Sequence, residues 1–212
     1  MFGSGALARR FVAVLTGALV LSSPTFADDP PLLAGKGVTL FAGYHFGGSL
    51  TDETSGQSVD LREGGLFGAS LDIPLDDSSE FQVFYGHQST AFTPWPYPTT
   101  SDKLKVDYLH IGGTFFPEEM SRGVYVVGGL GATRMTPDAD GFNPATNFSL
   151  NLGIGYLLPL SRNVGLRFEA RGFATIINSR TAVFCSGGCV AKLTGSGVSQ
   201  GAFLIGLSAR LN

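Results

Sequence analysis

The sequence predicts an all-β fold, an eight-stranded antiparallel transmembrane β-barrel, and three observations lead to it. The 212-residue chain begins with an export signal. Eight later segments alternate apolar and polar residues with a period of two, as strands with one apolar face do. Short connections between these segments alternate with long ones, which is typical of barrels that cross a membrane.

The N-terminal segment has the three parts of a secretory signal. Arg9 and Arg10 precede the apolar run FVAVLTGALVL, and small residues lead to a cleavage bond that we expect between Ala27 and Asp28. The predicted organisation is a signal peptide over 1–27 and one barrel domain over 28–212. Removing the two arginines leaves 12 of the 14 basic residues against 17 acidic ones, a net charge of −5. This balance gives no basis for a nucleic-acid partner.

The composition excludes a helical membrane protein but not a membrane location. After residue 27 no apolar run reaches the roughly 20 residues that a spanning helix needs. The mean hydropathy of the chain is nevertheless positive, which is high for a secreted soluble protein. Short strands that expose apolar side chains to lipid account for both observations.

Each of the eight predicted strands presents its apolar residues on one face. In the first strand, Val38, Leu40 and Tyr44 lie opposite Thr39 and His45. The strands are about as long as a tilted strand must be to cross a bilayer. In chain order they are VTLFAGYHF, LFGASLDI, FQVFYGHQS, DYLHIGGTFF, VYVVGGLGATR, FSLNLGIGYLL, LRFEARGFATII and GAFLIGLSARL.

The connections between the strands differ in length at the two ends of the barrel. Polar turns with a proline at the strand end cover 74–80, 117–123 and 159–163, and longer loops lie near 51–62, 90–104, 136–146 and 178–199. This asymmetry predicts short periplasmic turns and long extracellular loops. A closed barrel also pairs every backbone edge, which hydrocarbon requires.

The chain resembles the eight-stranded outer-membrane β-barrel proteins, the group that includes the OmpA transmembrane domain and OmpX. The resemblance covers about residues 36–212 and includes stretches such as GGLGATRMTP and ARGFATIINS. It implies location in the bacterial outer membrane, contact with outer-membrane lipid and lipopolysaccharide, and folding by the barrel-assembly machinery. The chain ends in Leu211 and Asn212, whereas this group usually ends on an aromatic residue read by that machinery.

Polar residues on the face opposite the apolar one are predicted to fill the lumen. An eight-stranded interior is wide enough only for side chains or one small ligand, so a packed network is favoured over an ion path or ligand site. Glu169 is expected to pair with an arginine of its own strand and with Arg210 on the neighbouring strand, because unpaired buried charges are costly. The set comprises His45, Asp72, Gln82, Gln88, His110, Asn151, Arg167, Glu169, Arg171 and Arg210.

Two predicted loops carry further candidate residues. Cys185 and Cys189 are the only cysteines, and an even count in an exported protein favours a disulfide over a metal pair. The loop AFTPWPYPTTSDK presents Trp95 and Tyr97 between prolines, either as an adhesive surface or as an aromatic anchor at the membrane boundary. The sequence predicts no cofactor and no metal site.

One constellation has the parts of an acyl-hydrolysing site. His87 and Ser89 lie two residues apart on one face of the third strand, and Asp107 has the same lipid-facing parity in the fourth. A nucleophile, a base and an orienting carboxylate form a hydrolase triad. The arrangement resembles the His-x-Ser pattern of PagL, the outer-membrane lipid A deacylase, although Thr90 stands where that pattern has asparagine. The alternative interpretation is a group of polar side chains at the level of the headgroups.

The favoured function is non-enzymatic, that of an integral outer-membrane barrel whose loops serve interaction, adhesion or envelope integrity, with an extracellular ligand that the sequence does not identify. Two alternatives are a narrow channel or carrier for a small solute and a lipid A acyl hydrolase. A soluble ligand-binding barrel is a further alternative, which extraction only by detergent would exclude.

Overall fold

A computed structural model describes residues 35–52, 56, 58–93, 102–118, 122–138, 143–177, 193–194 and 197–211. Among these residues there is no helix long and apolar enough to cross a bilayer. The predicted signal peptide, the residues Trp95 and Tyr97, and the cysteines Cys185 and Cys189 lie outside the described residues. The strands are β1 (Lys36–Phe46), β2 (Ser49–Asp52), β3 (Ser58–Leu61), β4 (Gly64–Pro74), β5 (Ser79–Thr93), β6 (Lys103–Phe115), β7 (Gly123–Pro137), β8 (Ala145–Pro159), β9 (Val164–Thr175), β10 (Leu193–Thr194) and β11 (Val198–Leu211).

Eight long strands close one antiparallel barrel. Their order is β1, β4, β5, β6, β7, β8, β9 and β11, each hydrogen-bonded to the next. The sheet closes where β11 returns to β1, with Lys36 opposite Leu211 and Phe46 opposite Gly201. The eight strands coincide with the eight alternating segments, so the predicted eight-stranded barrel is confirmed.

The alternation of side chains produces an apolar belt around the outside of the barrel. Leu40 and Leu152 are more than 60% exposed, whereas Thr39 and Asn151, their neighbours along the strands, are buried. Exposure of this much apolar surface to water is unfavourable, at about 25 cal/mol for each Å². The same belt matches the hydrocarbon of a bilayer.

Tight turns close one end of the barrel. In the turn 75–78 the backbone N–H of Leu75 donates to the carbonyl of Ser79 at 2.9 Å, and in the turn 160–163 Leu160 donates to Val164 at the same distance. Asp76 accepts hydrogen bonds from the backbone N–H of Ser78 at 2.8 Å and from its hydroxyl at 3.0 Å. The backbone bond in particular lowers the pKa of Asp76 below its ordinary value, because it stabilises the carboxylate. Short turns mark the periplasmic end of such a barrel.

Part of the long loop predicted near 51–62 is strand, because β2 ends at Asp52 and β3 covers Ser58–Leu61. Strand β5 extends beyond its pairing with β4, and β3 pairs with this free length, with Leu61 opposite Phe92. Strand β2 then pairs with β3 on one side and β10 on the other. Leu50, Val59 and Leu61 are almost fully buried in one cluster with Phe92 and Leu104. Burial of these alternating apolar side chains favours strand structure over an exposed loop.

Candidate functional site

The structure contains two groups of polar residues, one inside the barrel and one on its outer face. The inner group includes all of the residues predicted to fill the lumen, and each has 4% or less of its surface exposed. They are His45, Asp72, Gln82, Gln88, His110, Asn151, Arg167, Glu169, Arg171 and Arg210.

Arg167 lies between two carboxylates at the periplasmic end of the lumen. Its Nη1 atom lies 3.3 Å from Asp72 Oδ1, and its Nη2 atom lies 2.9 Å from Glu80 Oε2. Glu80 also accepts a hydrogen bond from Arg210 Nη2. Glu80 was assigned to the turn 74–80 and was not among the residues predicted to fill the lumen. It lies two residues before Gln82 in the same strand, so its side chain points to the same inner side, and this spacing could have identified it.

Glu169 pairs with Arg171 and with a tyrosine that sequence reasoning also missed. Glu169 Oε2 lies 2.6 Å from Arg171 Nη2, and the hydroxyl of Tyr125 donates to Oε1 at 2.7 Å. The expectation that Arg210 lies near Glu169 is wrong. Glu169 is opposite Leu204 in the β9–β11 register, six residues from Arg210, a separation of about 20 Å along a strand.

The inner network contains a layer of fully buried charges formed by Asp72, Glu80 and Arg167. The side chains of all three residues have no accessible surface. Their contacts fill the part of the lumen between β4, β5 and β9.

The outer group brings together the three residues of the predicted triad. Residues His87 and Asp107 are directly opposite each other in the β5–β6 ladder, and His87 Nδ1 lies 2.7 Å from Asp107 Oδ1. Ser89 Oγ lies 3.4 Å from His87 Nε2, on the other side of the ring. A carboxylate only accepts hydrogen bonds, so the Nδ1–H of His87 donates to Asp107, and in a neutral imidazole Nε2 is then the acceptor that faces Ser89.

Asp107 is held from two further sides. The hydroxyl of Tyr85 donates to Asp107 Oδ1 at 2.8 Å, and Arg134 is opposite Asp107 in the β6–β7 register. The side chains of His87 and Asp107 are 38% and 29% exposed, so the contact is open to molecules outside the barrel.

The triad lies at the extracellular edge of the apolar belt, where the exposed Phe67 of β4 is still opposite His87 and Arg134 of β7 is opposite Asp107. One cross-strand row contains Tyr85, Leu109 and Ala132, and the last two are apolar. The next row towards the extracellular end contains the pair His87 and Asp107, and the row after it contains Ser89. In a bilayer this step from apolar to charged side chains corresponds to the change from acyl chains to headgroups.

Comparisons with known proteins found similar solved structures but no similar sequence. No family model matches the chain, and no curated protein matches its sequence. Neisserial surface protein A (NspA) is similar in structure, with a TM-score of 0.54 and 15% identity over 84% of this chain and 98% of that one. Ail, the attachment invasion locus protein of Yersinia pestis, has a TM-score of 0.48 and 11% identity over 82% and 99%. OprG from Pseudomonas aeruginosa has a TM-score of 0.48 and 13% identity over 86% and 98%.

The closed barrel and its apolar belt define the class of protein. The chain has the fold of the eight-stranded outer-membrane β-barrels, as the likeness to NspA shows. A barrel with apolar residues facing outward around its whole circumference is built to span the bacterial outer membrane. The predicted outer-membrane location is confirmed.

Proposed function

We propose that this barrel is a serine hydrolase that cleaves acyl esters of outer-membrane lipids at the level of the headgroups. The observation that carries the proposal is the imidazole of His87, which contacts Asp107 through one nitrogen and faces Ser89 through the other. This order of nucleophile, base and carboxylate is the one that acyl transfer requires. The proposal concerns the outer face, where the three side chains lie.

The chemistry follows the roles of the three side chains. His87 Nε2 takes the proton of Ser89 Oγ while the oxygen attacks the ester carbonyl, which forms a bond from Oγ to carbon. Collapse of the tetrahedral intermediate breaks the bond to the alcohol, which receives the proton from His87. Water then cleaves the acyl-serine in the same way and yields a fatty acid. Asp107 holds the ring and stabilises the imidazolium in both steps.

The separation between Ser89 and His87 is consistent with a site that has no substrate bound. Their 3.4 Å contact is longer than an ordinary hydrogen bond between hydroxyl and imidazole. Catalytic hydrogen bonds are often long without substrate and shorten in the reacting complex. Lys105, which is directly opposite Ser89 in the β5–β6 register, is the cation suited to stabilise the negative charge on the carbonyl oxygen.

A second candidate is the non-enzymatic barrel with a role for its extracellular loops in interaction, adhesion or envelope integrity. The observation in its favour is that Asp107 accepts a hydrogen bond from Tyr85 as well as from His87. Such a network also suits a polar anchor at the membrane surface, with no reaction at Ser89. The two candidates differ in whether Ser89 is reactive.

The first prediction tests that reactivity. Purified barrel in vesicles of phosphatidylethanolamine and lipopolysaccharide should release fatty acid, measured by mass spectrometry, and should react with a fluorophosphonate probe. Ser89→Ala should abolish labelling and lower fatty-acid release by about 10³-fold or more, since a triad fails without its nucleophile. Asp107→Asn should lower release strongly while the barrel still folds.

The control variant is Ser199→Ala, because Ser199 is an exposed serine on the outer face of β11. It should release fatty acid and bind the probe like the wild type. If the wild type releases no fatty acid and Ser89 takes up no probe, the hydrolase proposal is wrong and the non-enzymatic candidate stands.

A further inference from the structure

A groove of about 670 Å³ lies on the lipid-facing surface of the barrel and crosses from β1 over β11, β9 and β8 to β7. Two alanines lie in it between larger side chains, so the surface of the apolar belt is sunken there. The outward-facing residues of the groove are apolar or aromatic, and they include Ala42, Tyr44, Ile154, Phe168, Ala170 and Phe203.

The groove begins two strands away from the proposed nucleophile. Gln88 is opposite Leu66 in the β4–β5 ladder, so the next position places Ser89 beside Gly65, and Gly65 is opposite Tyr44 of β1. Adjacent strands are about 4.8 Å apart, which places Tyr44 about 10 Å from Ser89 across the sheet. An acyl chain attached to an ester at Ser89 can therefore reach the groove at Tyr44.

The surface on the β4 side of Ser89 is apolar, whereas the surface on the β6 side is polar. Gly65 adds no side chain, and the nearest atom to the position of a Cβ there is Cε2 of Phe67, at 3.8 Å. In the other direction the same cross-strand row continues through Lys105 and Thr136. An acyl chain is thus favoured on the β4 side, towards the groove.

The row slopes towards the periplasm as it leaves Ser89 on this side. Beyond Gly65 it passes, in order, Tyr44, Phe203, Ala170 and Ile154. After passing all eight long strands it returns to β5 at Ser79, ten positions from Ser89 and at the periplasmic end of that strand. A chain that follows this row therefore descends into the bilayer.

The length of the groove suits the chain of a single leaflet. Ala170 is four strands from Ser89, about 19 Å along the row. Because the strands are tilted by about 45°, the row slopes by a similar angle, and 19 Å along it is a descent of about 13 Å. The acyl chains of one leaflet fill half of the hydrocarbon core, about 15 Å.

We infer that this groove binds the acyl chain of the ester substrate, with the ester at Ser89 and the chain passing Gly65 and Tyr44 to reach Ala170. This inference rests on the proposed hydrolase and names the part of the substrate that the barrel recognises. The chain already lies in lipid, so the groove contributes van der Waals packing and position, with no hydrophobic gain. A chain held along the row keeps its ester at the nucleophile, which is the orientation that catalysis requires.

The test compares an ester whose chain reaches Ala170 with one whose chain does not. Purified barrel in detergent micelles is given p-nitrophenyl palmitate or p-nitrophenyl butyrate, and kcat/KM is measured for both. Ala170→Phe places a ring in the groove and should lower kcat/KM for palmitate by about tenfold or more, since a misplacement of 1 Å can cost on the order of 10²-fold. The value for butyrate should stay unchanged, because its chain ends before the groove.

The matched control is Ala209→Phe. Ala209 is an exposed alanine on the outer face of β11 near the periplasmic end, where it is opposite Val38 and Val164. This variant adds the same ring to the apolar belt and should leave both values of kcat/KM unchanged. An unchanged ratio of palmitate to butyrate in Ala170→Phe, or an equal loss in the two variants, overturns the inference and leaves the hydrolase standing.

Binding is measured separately in the Ser89→Ala barrel, which keeps the ester intact. A palmitoyl ester with a diazirine at its last carbon is photolysed on this barrel, and mass spectrometry maps the labelled residues. Labels should concentrate on β9 and β8 around Ala170, and adding Ala170→Phe should disperse them. Labels spread evenly around the belt overturn the inference. Concentrated labels without hydrolysis by the wild type keep the acyl-chain groove and reject the hydrolase.

Discussion

Glu80 is a single buried carboxylate that binds two arginines from different strands across the lumen. It joins Arg167 of β9 to Arg210 of β11, and both contacts cross the interior from β5. The side chains of Glu80 and the two arginines have no accessible surface, so water cannot replace the carboxylate. A charge buried without its partner is strongly destabilising.

The residue-scale prediction is therefore that Glu80→Gln destabilises the folded barrel. The amide keeps the volume but leaves Arg167 and Arg210 without this countercharge, so we expect a loss of about 3–5 kcal/mol in the free energy of unfolding. Urea titration in detergent, followed by tryptophan fluorescence, measures it. Glu118→Gln changes an exposed acid in a turn and should leave the midpoint unchanged. Equal midpoints for the two variants would mean that Glu80 contributes no net stability.

At the scale of a strand, Gly155 of β8 allows a contact between its two neighbours. Gly155 is opposite Tyr125 of β7 on one side and Glu169 of β9 on the other. The ring of Tyr125 lies over the glycine, so that a Cβ at this position would lie 2.3 Å from Tyr125 Cζ. The absence of a side chain lets the tyrosine hydroxyl reach Glu169 across one intervening strand.

The strand-scale prediction is that Gly155→Ala displaces Tyr125 and breaks its hydrogen bond to Glu169. A hydrogen bond to a charged group contributes about 1.5–3 kcal/mol, and the free energy of unfolding should fall by a similar amount. The control is Gly172→Ala, because a Cβ at Gly172 would meet its nearest atom, Leu152 O, at an ordinary 3.7 Å. Circular dichroism melting in detergent compares the two. An unchanged melting temperature for Gly155→Ala would show that the ring is not confined.

At the scale of the whole molecule, the described lumen network is balanced in charge, and the candidate triad lies on the outer face of the barrel. The named network contains three arginines and three carboxylates, and its contacts link β4, β5, β7, β9 and β11. These links connect opposite walls of the barrel, so they resist both collapse and widening.

We expect the wild-type barrel to show no sustained ion conductance in planar bilayers. The reason is the layer of Asp72, Glu80 and Arg167, whose side chains are fully buried. A large general porin prepared in the same detergent serves as the positive control for insertion. The unboiled protein should also migrate faster than the boiled protein on an SDS gel, since an intact barrel is compact. Steady conductance by inserted wild-type barrels would favour the channel interpretation instead.

Local pattern was enough to assign the faces of the strands and the composition of the lumen. Side chains in a strand alternate strictly between two sides, so a buried arginine such as Arg171 can be recognised from its position between apolar neighbours. The same parity placed His87 and Asp107 on the outer face, whereas the long extracellular loops stay a prediction. These inferences need only the period of two.

The partners across the lumen were decided by the tertiary structure. Arg167 and Arg210 lie 87 and 130 residues from Glu80 in the sequence, and only the closure and stagger of the sheet bring them together. Strands β2 and β3 likewise depend on the free length of β5 that they pair with. A cavity beside Ser89 at the extracellular end likewise combines Arg62, which precedes β4, with residues of β5 and β6. Such contacts depend on the register between strands and on the geometry of the barrel. The alternation of residues within a single strand contains no information about either.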